Sequence, residues 1–525
     1  MKKFKKLLAL AMSLALVAGC SGKKTVGKVE IGEAKYGDTY PIESEVKLTH
    51  WMPMNAKISV SASNFGDLPV AKELAERTGV KVEYIHPSLT NATEKFNMMI
   101  ASGELPDIIT YNWESYPGGP AKAIEDGIIL PLNDLIDAYA PNLKAFYEEN
   151  PELAAECRTA NGDYYSAGMF MGDRKLQTSA GVIIRQDWLD ELGLEMPETI
   201  EEWEVVLRAF KEKKGATAPL SLTLSAVSNG AFTGAFGVTT SYYHIGDTVH
   251  FGPMEDGYKE FLETMHRWYK EGLLDPNFST TDSATITSNM LNGKTGAMNG
   301  ALSGGIGSLI KASTNPSAKY AGAPYPTHKK GETPMFGQLV SNTLPHAAIT
   351  TQCKDIELAM RLLDYGYSED GHMFFNFGTE GETYNMVDGY PTYTDLIKNN
   401  PDGLSMAQAM TKYTMNGDRN SFVQDVRYLE QYAGLPEQQQ AWETWCNTDA
   451  VKYVLPNLYI PENKSSEYAT KSTAISSYVD EMYVKFITGT EPIENFDKYV
   501  KQLKKLGIED VLKIKQEAYD AYLKQ

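Results

Sequence analysis

The stretch Val46-Lys47-Leu48-Thr49-His50-Trp51-Met52 alternates apolar and polar residues, which predicts a β-strand at the start of the folded body. The elements predicted next are a helix at 67–78 stopped by Gly79, a strand at 80–85, a helix at 91–102 and a strand at 107–111. Strands that alternate with helices in this way form parallel sheets covered by helices. The stretch therefore predicts an α/β layer.

A second α/β unit follows further along the chain. Its strand is predicted at 181–185, and its helix at 200–213 begins with the capping box Thr199 to Glu202. Further helices are predicted at 256–271, at 281–292 and over most of 465–525. The chain contains no tandem repeat. The pattern therefore predicts two α/β lobes and a helical C-terminus.

The N-terminus has the features of a secretory signal. Four lysines within the first six residues precede an apolar run at 7–18. This run is shorter than the roughly 20 residues that a membrane-spanning helix needs. The ending Leu16-Val17-Ala18-Gly19-Cys20 looks like a bacterial lipobox. We therefore expect residues 1–19 to be removed, Cys20 to carry lipid, and residues 20–45 to form a flexible tether.

The net charge and the cysteine content argue against several kinds of binding partner and of structural site. The net charge of −19 argues against binding to nucleic acid or to anionic lipid. Beyond Cys20 the chain has three widely spaced cysteines and no CxxC motif. We therefore predict neither a disulfide framework nor a zinc site, although secretion leads to an oxidising compartment.

Catalytic motifs are nearly absent from the sequence. It contains no HExxH, GxSxG, Walker-type phosphate loop or EF-hand loop. The glycine-rich segment at 300–307 fits close backbone packing better than anion binding. Carboxylates are abundant, so a pair suited to glycoside hydrolysis stays open, but the sequence singles out no pair.

Four tryptophans are candidate ligand contacts. Trp51 and Trp113 each follow the carboxyl end of a predicted parallel strand, where ligands of open α/β sheets bind. An indole offers a flat apolar face and one N–H donor, which suits a sugar ring. We therefore predict that Trp51 and Trp113 bind the ligand. Asn55 and Asn112 are predicted to be their hydrogen-bonding neighbours. Trp442 and Trp445 share a helix face and fit core packing and a cleft equally well.

Seven segments together resemble the lipid-anchored family 1 extracellular solute-binding proteins of Gram-positive ABC importers, especially the large oligosaccharide-binding type. They are ASGELPDI (101–108), IRQDWLDELG (184–193), WYKEGLLDP (268–276), AAIT (347–350), YGYSEDGH (365–372), FNFGTEGETY (375–384) and KFITG (485–489). The resemblance extends over nearly the whole chain after the predicted signal at 1–19.

The resemblance implies a two-lobe, periplasmic-binding-protein-like fold with a hinge and a ligand cleft between the lobes. We expect lobe 1 at 46–165 with 343–392, lobe 2 at 166–342 with 393–525, and hinge crossings near 164–180, 338–345 and 390–396. The implied protein is a monomer without cofactor. It is lipid-anchored to the extracellular face of the cell membrane and delivers a sugar or oligosaccharide to ABC permease subunits.

One departure from the family concerns calcium. Several relatives carry a calcium loop after the helix equivalent to 200–213, whereas this chain reads KKGATAP at 213–219. That loop offers too few oxygen ligands for a hard cation, so we expect no metal. The alternative hypotheses are a peptide or other small-solute binding protein and, in a different class, a surface glycosidase.

Overall fold

The computed structural model describes residues 31–54, 57–87, 91–159, 161–228, 230–340, 343–416 and 420–524. The predicted signal, the predicted lipidation site Cys20 and the predicted ligand contact Asn55 lie outside these ranges. No helix within them has the length and apolar character needed to cross a bilayer.

The strands are Lys47–Trp51 (β1), Lys81–Ile85 (β2), Ile108–Tyr111 (β3), Ala167–Met171 (β4), Ala180–Arg185 (β5), Leu220–Ser221 (β6), Tyr242–Ile245 (β7), Thr248–Phe251 (β8), Ala297–Ala301 (β9), Tyr320–Ala323 (β10), Thr343–Ile349 (β11), Tyr384–Val387 (β12), Tyr390–Tyr393 (β13) and Phe422–Gln424 (β14).

The helices are Pro69–Thr78 (α1), Ala92–Ser102 (α2), Gly119–Glu125 (α3), Asn133–Tyr139 (α4), Pro141–Glu149 (α5), Pro151–Ala155 (α6), Gln186–Leu192 (α7), Ile200–Lys214 (α8), Leu224–Ser228 (α9), Asp256–Lys270 (α10), Ser283–Leu291 (α11), Ser308–Ala312 (α12), Ile356–Tyr365 (α13), Glu369–Phe377 (α14), Asp395–Lys398 (α15), Met406–Tyr413 (α16), Val426–Tyr432 (α17), Pro436–Cys446 (α18), Glu462–Thr488 (α19), Phe496–Lys505 (α20) and Ile508–Tyr522 (α21).

Lobe 1 is built on a six-stranded sheet with the order β14-β4-β11-β3-β1-β2. The strands β1, β2 and β3 pair in parallel, and β11 runs antiparallel to its neighbours. The predicted alternation of strands and helices at 46–111 is therefore confirmed. The helix α1 ends where Gly79 adopts a left-handed φ of 73°, which a residue with a side chain tolerates poorly.

Lobe 2 is built on a four-stranded sheet with the order β10-β5-β9-β6. The helix α8 begins with the predicted capping box, because Thr199 Oγ1 accepts from the Glu202 N–H and the Glu202 carboxylate accepts from the Thr199 N–H. A Cβ at Gly300 would lie 2.7 Å from Ile183 Cδ1. The glycine-rich segment at 300–307 thus begins in a close backbone approach, as the packing interpretation predicted.

The sheet membership of two strands differs from the predicted lobe boundaries. The predicted boundaries put β4 and β14 in lobe 2, but both strands pair within the six-stranded sheet. The predicted crossing at 390–396 falls partly on β13, which forms a hairpin with β12. The chain leaves the six-stranded sheet only after Gln424. Local patterns predicted the strands, but sheet membership depends on pairing between distant segments.

The predicted tether also ends earlier than residue 45. Ile42 is 5% exposed, and its N–H donates to the Thr78 carbonyl at 2.8 Å. The Tyr36 hydroxyl donates to Asp355, and the Arg361 guanidinium donates to Asp38. These contacts attach the segment from about residue 35 to lobe 1, because its tyrosines and isoleucine are large enough to join the core.

Candidate functional site

Five strands of the six-stranded sheet run in the same direction, so their carboxyl ends lie at one edge of the sheet. The carboxyl ends of β1, β2, β3, β4 and β14 lie at this edge, together with the start of the antiparallel β11. Ligands of open α/β sheets bind beyond such an edge. It is therefore the part of lobe 1 best placed to hold a ligand.

A corresponding edge of the second sheet lies beside the connections between the lobes. The carboxyl ends of β6, β9 and β10 meet there with the start of β5. The chain passes from the end of β4 to the start of β5 through 172–179, and returns to β11 through a second connection. The two connections touch, since the Val340 N–H donates to the Gln177 carbonyl at 2.9 Å. The ligand edges of both sheets thus meet the same hinge.

An amide pair lies at the lobe 2 side of this hinge. Gln338, in the second connection, donates from Nε2 to Oδ1 of Asn299 at 2.9 Å. Asn299 is a polar residue within β9, opposite Val182 of β5. Amides both donate and accept hydrogen bonds, so they suit hydroxyl-rich ligands. Sequence reasoning missed both residues, although an asparagine in the short apolar strand at 297–301 was a visible signal.

The structure contradicts the prediction that Trp113 projects into a cleft. Its side chain is 0% exposed and packs near Phe96, with ring centroids 5.6 Å apart. Its indole N–H donates to the His346 carbonyl at 3.2 Å. Trp113 is therefore a core residue, because the short turn at 113–115 directs the ring back under the sheet edge.

Trp51 and Asn112 keep positions near the ligand edge. Trp51 is 4% exposed, contacts Phe96 and Tyr111, and lines a cavity described below. Asn112 is exposed, and its Oδ1 accepts from the Glu114 N–H. A ligand role for these two residues stays a prediction.

Trp442 and Trp445 belong to the core of lobe 2, so the packing alternative describes both. Trp442 is 2% exposed, and its N–H donates to the Lys175 carbonyl in the first connection. Trp445 is 0% exposed and donates to the Ala323 carbonyl. A Cβ at Gly181 would lie 2.4 Å from the Trp445 ring. The glycine therefore lets α18 pack directly on β5, and both tryptophans belong to a different core cluster from Trp51.

A cavity of about 620 Å³ lies on lobe 1 between α2 and the edge strand β2. We call it the α2 pocket. Its apolar wall includes Trp51, Ile85, Met99 and Leu105. Trp51 and Ile85 end their strands at the ligand edge, so one end of the α2 pocket lies at the outer corner of that edge, and the other end reaches Glu104, before the start of β3. Its volume is typical of a small-molecule site.

A segment of lobe 2 also crosses onto lobe 1. The residues between α18 and α19 carry Tyr459, whose hydroxyl donates to the Glu156 carbonyl at 3.2 Å. Burial and the nearby charge of Glu114 raise the pKa of the Glu156 carboxyl to about 7, although the Asn457 N–H donates to that carboxylate. The contact between the lobes therefore includes a carboxyl group that titrates near neutral pH.

We expect Glu156→Gln to change how stability depends on pH. Glu156 binds its proton more tightly in the folded protein than at its ordinary pKa of 4.5, so its contribution to stability falls as pH rises from about 4.5 to about 7. The melting temperature of Glu156→Gln relative to wild type should therefore rise between pH 5 and pH 8. Melting curves without ligand test this, with the exposed Glu152→Gln as control. A constant difference at both pH values would contradict the assignment.

Across the described ranges, no group of three or more His, Cys, Asp or Glu side chains is arranged so that it could hold a metal ion. Cys157, Cys353 and Cys446 are free thiols. At the loop after α8, the carbonyl of Pro219 already accepts from the N–H groups of Gly296 and Ala297. The absence of a structural cation stays a prediction.

Comparison with known proteins gives consistent results along the chain. A sequence model described as bacterial extracellular solute-binding protein matches residues 64–373. The fructooligosaccharide ABC transporter substrate-binding protein FusA of Streptococcus pneumoniae serotype 4 is 25% identical, and the alignment covers 99% of this chain and 98% of FusA. The lipoprotein LipO of Bacillus subtilis is 26% identical, with 97% of each chain covered.

A solved structure shares the fold. The alginate-binding protein AlgQ2, determined without calcium ion, superposes with a TM-score of 0.72 at 26% identity. The match covers 90% of this chain and 98% of AlgQ2. This chain therefore has the two-lobe, periplasmic-binding-protein-like fold of solute-binding proteins.

Proposed function

The chain belongs to the bacterial extracellular solute-binding proteins, and from this premise we propose that it captures an oligosaccharide for an ABC importer by closing its lobes on it. The observation that carries the proposal is the meeting of two sheet edges at one hinge, with the amides of Asn299 and Gln338 beside it. A ligand that contacts both lobes stabilises the closed arrangement only, so binding drives closure.

A saccharide fits the groups at this hinge. Asn112 on lobe 1 and the amide pair on lobe 2 supply donors and acceptors for hydroxyl groups. FusA and AlgQ2, which resemble this chain over nearly its whole length, are described as binding a fructooligosaccharide and alginate. A peptide carrier, the alternative within the binding class, would require charged groups for the peptide termini at the hinge, where the groups named here are neutral amides.

The location and partners are part of the same proposal. Residues 1–19 are a signal peptide, and Cys20 carries a lipid, palmitate included, that anchors a monomer to the extracellular face of the cell membrane. The permease subunits of the importer receive the ligand. A relative aligned over 97% of this chain is named lipoprotein LipO, which supports the anchor. The attachment of residues 35–42 to lobe 1 would place that lobe nearest the anchor.

The glycosidase alternative would use two carboxyl groups. The structure brings Glu114 and Glu156 close enough for their charges to interact, and burial raises the pKa of both. However, the Glu156 carboxylate already accepts from the Asn457 N–H, and the Glu156 carbonyl accepts from the Tyr459 hydroxyl. We therefore propose binding without hydrolysis, in agreement with the relatives named above.

A thermal-shift screen tests this function. The purified protein is heated with 1-kestose, trigalacturonate, α-1,4-galactotriose, maltotriose or a tripeptide, because a ligand that binds only the folded state raises the melting temperature. We expect at least one saccharide to raise it by several degrees and the tripeptide to leave it unchanged. Chromatography of the incubated saccharides should show no product. A shift with the tripeptide alone, or hydrolysis of a saccharide, would overturn the proposal.

A further inference from the structure

The α2 pocket contains three side-chain groups that have no hydrogen-bond or ion-pair partner among the described residues. Most of its other polar groups are committed: Thr49 Oγ1 donates to Asp107, Ser102 Oγ donates to the Met99 carbonyl, and both ring nitrogens of His86 are occupied. The groups that remain belong to Asn91, Lys95 and Glu104.

Asn91 is the residue that precedes α2, and its side chain does not cap the helix. Its Oδ1 is buried and accepts no hydrogen bond from the part of the chain that the structure describes. A buried acceptor without a donor costs free energy, which a ligand hydroxyl or N–H can recover. A ligand hydroxyl or N–H that donates to Asn91 Oδ1 would therefore stabilise a ligand at this end of the α2 pocket.

Lys95 lies one helical turn after Asn91, so both residues face the pocket. Its ammonium group forms no ion pair or hydrogen bond with any residue in the described ranges, although the chain as a whole is strongly acidic. Glu104 lies beyond the other end of α2, roughly 15 Å away along an 11-residue helix. The pocket is thus positive near Asn91 and negative at its far end.

These groups select a specific ligand chemistry. The apolar wall formed by Trp51 and Met99 suits the C–H face of a sugar ring. An anionic group can pair with Lys95, and a hydroxyl can donate to Asn91 Oδ1. We propose that the α2 pocket binds a carboxylate-bearing sugar unit, a uronate, at one end of the captured oligosaccharide. This inference rests on the proposed function, since the end of the pocket that holds Asn91 and Lys95 lies at the corner of the ligand edge.

Calorimetric titration with trigalacturonate and with its neutral counterpart α-1,4-galactotriose tests the proposal. Wild-type protein should bind the acidic trisaccharide at least tenfold more tightly at low salt. Lys95→Gln should remove most of this preference, by about five- to tenfold, and leave the affinity for galactotriose unchanged. Lys72→Gln, an exposed lysine on α1, is the matched control and should change neither affinity. Asn91→Ala should weaken both trisaccharides severalfold.

The outcomes separate this inference from the proposed function. Equal affinity for the two trisaccharides in wild type, or an acid preference that survives in Lys95→Gln, would overturn the uronate assignment while oligosaccharide capture stands. Binding of kestose or maltotriose with no binding of trigalacturonate would do the same. Failure of every saccharide in the thermal-shift screen would overturn the proposed function itself. Because Lys95 is exposed, its substitution should leave the melting temperature unchanged, which the same samples verify.

Discussion

Trp113→Ala should lower the free energy of unfolding by about 3–5 kcal/mol, the usual cost of removing a fully buried tryptophan side chain. The ring has no exposed surface, and its N–H holds the His346 carbonyl of β11. The substitution removes both the packing and the hydrogen bond. Urea denaturation without ligand measures the loss. The free energy of unfolding of Trp113→Phe should lie between those of wild type and Trp113→Ala, since phenylalanine keeps an aromatic ring but lacks the N–H donor.

Met98→Ala is the matched control for this experiment. Met98 lies on α2, the same helix as Phe96, whose ring packs near Trp113. Its side chain, however, is 55% exposed. A surface substitution of this kind usually changes stability by less than about 0.5 kcal/mol. If Trp113→Ala kept wild-type stability and instead weakened saccharide binding, the core assignment would be wrong and the ligand role predicted from sequence would return.

Replacement of the hinge amides should give the largest loss of binding. The double variant Asn299→Ala/Gln338→Ala removes the groups that we place against ligand hydroxyls, at an expected cost of roughly 2 kcal/mol or about thirtyfold in affinity. Both residues are changed together because removal of either one breaks the hydrogen bond between Gln338 Nε2 and Asn299 Oδ1. Titration with the saccharide that gives the largest thermal shift measures the effect.

The control for this variant is Asn447→Ala. Asn447 is an exposed amide of the same lobe, in the turn after α18. Its loss should leave affinity unchanged. The double variant should also keep an unliganded melting temperature within a few degrees of wild type. Unchanged affinity in the double variant would show that the ligand contacts other groups.

Local sequence patterns predicted much of the fold. The alternation at 47–51, the glycine that ends α1 and the capping box of α8 depend on neighbouring residues only, and all three appear in the structure. Sheet membership was harder to predict. The strand β14 pairs with β4, about 250 residues earlier in the chain, and no local signal reports that pairing.

The candidate site, too, was predictable only where it depends on residues that are close together in the sequence. The positions of Trp51 and Trp113 near the carboxyl ends of parallel strands were predictable, but the direction of each ring was not. The short turn at 113–115 buries one indole beneath β11, whereas the other borders the α2 pocket. The pair Asn299 and Gln338 is separated by 39 residues. Only folding brings these amides together at the hinge.

Small-angle X-ray scattering with and without ligand tests the central claim, that the lobes close on a captured saccharide, most directly. The protein is measured alone and at saturation with the saccharide that gives the largest thermal shift. Closure buries the ligand between the two sheet edges, so the radius of gyration should decrease on binding. Identical scattering profiles at demonstrated saturation would contradict capture by hinge closure.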